Sequence, residues 1–123
     1  MFTIAKRFSF AASHVLTAVA EDHKCRRLHG HNYDVEVLCA AADLDGRDMV
    51  VDYLDLDPVK QFIARAVDHR HLNDVIEGEP TAERLAWWLY ESLKGELPGE
   101  VAAKLVAVRV QETPSTWAEY RPG

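Results

Sequence analysis

Residues 31–42 constrain the fold of this chain more than any other stretch. Tyr33, Val35, Val37 and Cys39 alternate with Asp34 and Glu36, a period of two that suits a strand with one buried and one polar face. Something else in the chain must cover the apolar face, and the cover follows in sequence. Asp57-Pro58 reads as an N-cap with proline in the first helical turn. Val59, Phe62, Ile63, Ala66 and Val67 then recur at helical spacing, ending near Asp68-His69. Thr81 reads as the cap of a second helix, with Leu85, Trp88, Leu89, Ser92 and Leu93 along one side and a stop at Pro98-Gly99.

Further strands are expected at 2–10, where Phe2, Ile4, Phe8 and Phe10 alternate except at Lys6. Others are expected at Met49–Tyr53, after an Asp45-Gly46 turn, and at Leu105–Thr113. The polar, irregular stretch 14–30 reads as a loop. The order strand, strand, strand, helix, helix, strand predicts an α+β fold, a few-stranded antiparallel sheet with helices on one face. Such a small open sheet has edges that must be paired or covered, which predicts association between subunits. A length of 123 residues, 48% of them apolar, suits one domain over 1–123.

A net charge of −6 argues against a general nucleic-acid binder. It leaves room for an anionic small substrate, because Lys24, Arg26 and Arg27 form a local basic cluster. Two cysteines do not make a disulfide framework. Cys39 sits in an apolar run and reads as a small core residue. Cys25 stands among the basic residues, a setting typical of reactive cysteines. Lys6-Arg7 followed by 8–20 and Ala18-Val19-Ala20 mimics a secretory leader. Ser9, Ser13 and His14 interrupt it, and residues 2–10 fit a strand better. No stretch is long and apolar enough to span a membrane, so a cytoplasmic protein is expected.

Six histidines are many for this length. In extended chain, His29 and His31 project to the same side, and Gly30 between them adds no side chain on the other. Both imidazoles can meet one metal ion, and His14, after the first strand, is a candidate third donor. Nitrogen donors in a tetrahedral arrangement suit zinc; the competing reading is three surface histidines. Cys25, four residues before His29, is either a fourth ligand closing a structural site or a nucleophile or base beside an open one. In Asp68-His69 the carboxylate can orient the imidazole, or the pair is an ordinary helix end. His71 and Asn73 are further polar supports or loop residues. Glu112 closes the apolar row Val106, Val108, Val110. It either accepts two hydrogen bonds from an N–C–N–H edge such as that of a pterin or guanine or stands exposed at a strand end.

Taken in order, several motifs resemble the 6-pyruvoyltetrahydropterin synthase and 6-carboxytetrahydropterin synthase superfamily. They are Phe10-Ala11-Ala12-Ser13-His14, His23-Lys24-Cys25-Arg26-Arg27-Leu28-His29-Gly30-His31-Asn32, Asp52-Tyr53, Val67-Asp68-His69-Arg70-His71-Leu72-Asn73-Asp74, Pro80-Thr81-Ala82-Glu83 and Gln111-Glu112-Thr113. Val67, where leucine is usual, is a mild departure that touches packing. The resemblance implies a T-fold: a four-stranded antiparallel sheet with two helices on one face, three sheets joined into a barrel, and two trimers stacked as a homohexamer with active sites at subunit interfaces. It implies Zn2+ on His14, His29 and His31, proton transfer by Cys25, Asp68 and His69, and a pterin ring anchored by Glu112. The Cys-x-x-x-His-Gly-His spacing is similar to the 6-carboxytetrahydropterin synthase branch. That branch implies conversion of 7,8-dihydroneopterin triphosphate to 6-carboxy-5,6,7,8-tetrahydropterin, acetaldehyde and triphosphate, in queuosine and other 7-deazapurine synthesis.

Overall fold

Alternation along two long strands makes the centre of the structure, a computed structural model that describes residues 1–123. β1 (Phe2–His14) and β2 (His29–Ala41) run antiparallel in continuous register, from Phe2 opposite Ala41 to His14 opposite His29. Directly paired residues share a face. Phe8, Phe10, Ala12 and His14 therefore lie on the same side as Val35, Tyr33, His31 and His29, while Ser9, Ala11 and Ser13 lie with Asp34, Asn32 and Gly30 on the other. The loop expected over 14–30 is thus shorter, because both of its ends are strand. His14 and His29 continue the parity of the buried rows, but their polarity disguised it.

β4 (Leu105–Thr113) pairs antiparallel with β2, with a register shift at Leu38/Cys39, and occupies the range expected for it. β5 (Thr116–Tyr120) returns antiparallel along β4, and β3 (Arg70–His71) lies parallel to β1 at Ala12 and Ser13. The sheet is five-stranded and mixed, in the order β3-β1-β2-β4-β5. This corrects the four-stranded antiparallel expectation. β3 is too short to leave a periodic signal, and β5 is a short strand after the turn Pro114-Ser115, where Thr, Trp and Tyr were its one compositional cue.

Met49–Tyr53 is not a strand. Val50 and Val51 are buried in irregular chain, where the Val50 carbonyl accepts from Lys104 Nζ at 2.7 Å. A short apolar run marks burial without specifying a ladder. The Asp52 side chain then caps a 3-10 turn over Tyr53–Leu56, accepting the Leu54 N–H at 2.9 Å. That turn runs straight into α1 (Asp57–Ala66), so the cap position falls on Leu56 and not on Asp57. Asp57 instead pairs with Lys6 at 3.1 Å.

α2 (Ala82–Glu96) begins where expected, with the Thr81 hydroxyl accepting the Arg84 N–H at 3.1 Å. The short α3 (Gly99–Ala102) follows Pro98 and leads into β4. Phe62, Ile63, Leu85, Leu89 and Leu93 of the two long helices share one core with Phe8, Phe10, Tyr33, Val35, Val108 and Val110 of the sheet. The opposite sheet face is polar, with Ser9 bonded to Asp34 and Arg109 paired to Glu119, both at 2.6 Å. No helix is long and apolar enough to cross a membrane.

Candidate active site

At the end of the sheet where β1 finishes and β2 begins, the apolar rows give way to imidazoles. His14 and His29 are register partners and His31 is two residues on, so strand pairing delivers all three rings to one side. Their candidate ligand atoms lie within 4.8 Å of one another, and His14 is 1% exposed.

Backbone carbonyls fix two of these rings. His14 Nδ1 donates to the Pro80 carbonyl at 2.9 Å and His29 Nδ1 donates to the Arg27 carbonyl at 2.7 Å. A carbonyl only accepts, so each Nδ1 carries a proton, and in the neutral form of the ring Nε2 is left as a lone pair. These two Nε2 atoms are 2.9 Å apart. Lone pairs so placed call for a proton or a cation between them. Burial lowers the pKa of His31 below its ordinary 6.5; Glu112 opposes this and His14 and His29 add to it. Three converging imidazoles, two of them with a fixed tautomer, fit a divalent metal such as zinc.

Two supports lie just outside the cluster. Burial, with a smaller contribution from Glu112, raises the pKa of the Tyr33 hydroxyl, which therefore stays protonated beneath His14. Asn73 clamps the residue after His14, its Oδ1 accepting the Val15 N–H and its Nδ2 donating to the Val15 carbonyl, both at 2.9 Å.

Cys25 is on a 3-10 turn, Lys24–Arg26, in the connection between β1 and β2. Its sulfur is not part of the three-histidine cluster. His23 Nδ1 accepts the Cys25 N–H at 3.0 Å, and the Cys25 carbonyl accepts the Leu16 N–H at 2.9 Å. Arg26 Nη1 donates to the carbonyls of Thr17 at 2.6 Å and Val19 at 2.9 Å, so Arg26 braces its own loop. Glu79 takes the Thr17 hydroxyl at 2.6 Å and its N–H at 2.9 Å, bonds that lower the carboxyl pKa. Three consecutive residues thus tie the site together: Glu79 holds the Cys25 loop, Pro80 orients His14 and Thr81 starts α2. Neither Glu79 nor the bracing role of Arg26 was legible in the sequence, where a charged residue beside Pro-Thr has no periodic or motif signal.

Asp68 and His69 do form a pair. Asp68 Oδ1 accepts the Ala11 N–H at 3.1 Å and lies 2.9 Å from His69 Nδ1. The Ala11 bond lowers the Asp68 pKa, desolvation opposes it, and His69 adds to the lowering. His69 has φ of 58°, in the left-handed region that few non-glycine residues adopt. Its N–H bonds the Ala11 carbonyl at 2.6 Å, and its ring is 82% exposed. No hydrogen bond joins Cys25 to this pair. His69 and His31 line one cavity of about 490 Å3. Glu112 does not stand clear at its strand end: Oε1 lies 3.4 Å from His14 Nε2 and 3.5 Å from His31 Nε2. Facing the cluster, it also lines a cavity of about 510 Å3 with Asp34 and Gln111.

Comparison with known proteins agrees with this geometry. Residues 3–123 match the model of the 6-pyruvoyl tetrahydropterin synthase family. The chain is 36% identical to the 6-carboxy-5,6,7,8-tetrahydropterin synthase of Synechocystis over 98% of its own length and 93% of that protein. It is 32% identical to the dihydroneopterin monophosphate aldolase of Pyrococcus furiosus over 85% of its length and 86% of that protein. The solved 6-pyruvoyl tetrahydropterin synthase of Caenorhabditis elegans superposes with a TM-score of 0.86 at 26% identity, covering 99% of this chain and 96% of that one. With the motifs, the sheet and the three histidines all in place, the chain belongs to the 6-pyruvoyl tetrahydropterin synthase family.

Proposed function

We propose that this protein is a zinc-dependent 6-carboxy-5,6,7,8-tetrahydropterin synthase, a lyase acting on 7,8-dihydroneopterin triphosphate in queuosine and related 7-deazapurine synthesis. The observation that carries the reading is the cluster of His14, His29 and His31, with Cys25 outside it and the cavity beside His31 reaching His69. A closed structural site would have taken the sulfur as a fourth donor. Several relatives at 30–36% identity bear the carboxy-synthase name.

Bound zinc supplies Lewis acidity toward the side-chain hydroxyls of the substrate. In this proposal the Cys25 thiolate removes a side-chain proton. His69, held in orientation by Asp68, returns or relays protons on the other side. Triphosphate leaves with the electron pair of its C–O bond. Water then adds to the side-chain carbonyl next to the ring, and cleavage of the adjacent C–C bond leaves that carbon as the carboxyl group while the other two carbons take up a proton and depart as acetaldehyde. Glu112 accepts hydrogen bonds from the N–C–N–H edge of the pterin. Open sheet edges support assembly. β5 has β4 as its one neighbour, and β1 is paired on its outer side at Ala12 and Ser13 alone. Three copies joining those edges would close a barrel, and two such rings would give a homohexamer with sites between subunits.

The test is incubation of the zinc-loaded protein with 7,8-dihydroneopterin triphosphate, followed by mass analysis of the pterin and an aldehyde assay. The carboxy product with acetaldehyde is expected. The similarity to the Pyrococcus aldolase favours one second reading: side-chain cleavage to 6-hydroxymethyldihydropterin, which yields no acetaldehyde. A pyruvoyl product would assign the pyruvoyl-forming activity, and no conversion at all would leave a pterin-binding protein.

A further inference from the structure

Ala11, Ser13 and Val15 are two residues apart, so in extended chain their backbone N–H and C=O groups face the same edge. One stretch, residues 68–73, meets all three in order. The Ala11 N–H goes to Asp68 Oδ1 at 3.1 Å, and the Ala11 carbonyl takes the His69 N–H at 2.6 Å. Ser13 is the register partner of His71 in β3, and their Oγ and Nδ1 lie 2.9 Å apart. Val15 gives its N–H to Asn73 Oδ1 and takes a hydrogen bond from Nδ2 on its carbonyl, both at 2.9 Å. The stretch thus starts at the Asp68-His69 pair and finishes beside His14.

β3 is two residues long, so its ladder stops at Ser13. A primary amide carries an acceptor and a donor, as a peptide unit does. Asn73 therefore adds one more rung to the ladder with a side chain. Val67 and Leu72 are fully buried, which fixes the stretch to the core. The chain after Val15 enters the long connection to β2 and has no strand of its own. We infer that Asn73 is a positioning residue that sets His14 against Asp68-His69, so that metal retention and the order of the proton-transfer pair are linked. This rests on the reading above that the three histidines hold zinc and that Asp68-His69 moves a proton. The Pro80 carbonyl governs the rotation of the His14 ring, whereas the Asn73 rung governs where the backbone carrying it stands. Fraying at Val15 opens the rung and carries the ligand away. Zinc binds the closed arrangement and favours it, and the linkage acts equally in the other direction.

The probe is zinc, titrated into the full chain against a chromophoric chelator. Asn73→Ala is expected to weaken zinc binding about tenfold, the usual cost of losing a group that orients a ligand. Asn73→Asp keeps an acceptor for the Val15 N–H and is expected to recover part of the loss. Val101→Ala, in the buried face of α3, removes core packing far from the site and is expected to change zinc affinity less than about twofold. Hydrogen exchange read by mass spectrometry on wild-type protein supplies a second measurement that needs no variant. Zinc is expected to slow exchange about threefold or more both in peptides covering 11–17 and in peptides covering 68–74. In Asn73→Ala the response at 68–74 is expected to vanish. Unchanged zinc affinity in Asn73→Ala overturns the assignment, as does an equal loss in Val101→Ala or no recovery in Asn73→Asp. Wild-type exchange at 68–74 that ignores zinc overturns it as well. Zinc bound with no dependence on Asn73 sinks the positioning role and keeps the metal site, whereas no zinc binding sinks both. Zinc held through Asn73 without turnover of 7,8-dihydroneopterin triphosphate keeps the positioning role and sinks the synthase.

Discussion

The proposed reaction gives Cys25 and Glu112 different duties, and substitution separates them. Cys25→Ala is expected to leave the metal content unchanged while lowering turnover at least about 100-fold; loss of metal would make the sulfur a ligand. Glu112→Gln is expected to weaken substrate binding about tenfold, since a charge-assisted pair is lost. Measured metal affinity shows whether its closeness to His14 and His31 matters for the ion as well. His31 gives a pH dependence with a definite sign. Its folded pKa lies below the ordinary 6.5, so on acidification the unfolded chain takes the proton first. Its contribution to stability is intact above about 6.5 and shrinks as pH falls below that value. Metal retention falls in the same direction, because the ligands must be neutral. Thermal melts with and without metal between pH 5 and 7.5 would show both effects. The convergence of the three histidines, the Asp68-His69 pair and a Glu112 set apart from its apolar row were legible in the sequence, through parity of spacing and motif order. What binds Nδ1 of His14 was not, because a backbone carbonyl 66 residues away leaves no trace in residue type.

Among the elements, the segment Glu79-Pro80-Thr81 couples most parts. Glu79→Gln keeps the shape but weakens the bonds to Thr17, so the loop carrying Cys25 should loosen. Faster alkylation of Cys25 by iodoacetamide, by about threefold or more, with metal content unchanged, is the expected outcome; an unchanged rate would mean that Arg26 and Leu16 hold the loop without Glu79. Strands β1, β2 and β4 and both long helices were legible because each alternates or repeats over many residues. β3 was not, because two residues have no period, and the buried pair Val50-Val51 imitated a strand because burial and laddering share one composition signal. Asp57 failed as a cap for a local reason: the 3-10 turn at Tyr53–Leu56 already supplies the entry to α1.

For the molecule as a whole, the open edges of β1 and β5 and a small core set the terms. A chain of 13.9 kDa is expected to sediment as a six-copy particle, or as a three-copy ring if stacking is weak. A stable monomer by analytical ultracentrifugation would contradict assembly through the sheet edges. The pairing of His14 with His29 has a wider consequence. Side chains along a strand alternate with a period of two, so sliding β2 by one position against β1 would set Gly30 opposite His14 and turn both other imidazoles away. An ion bound by all three rings would therefore act as a proofreader of hairpin alignment across thirteen residues. Copies that zip out of step could not load it, and a loaded population would be drawn from chains whose central hairpin closed correctly.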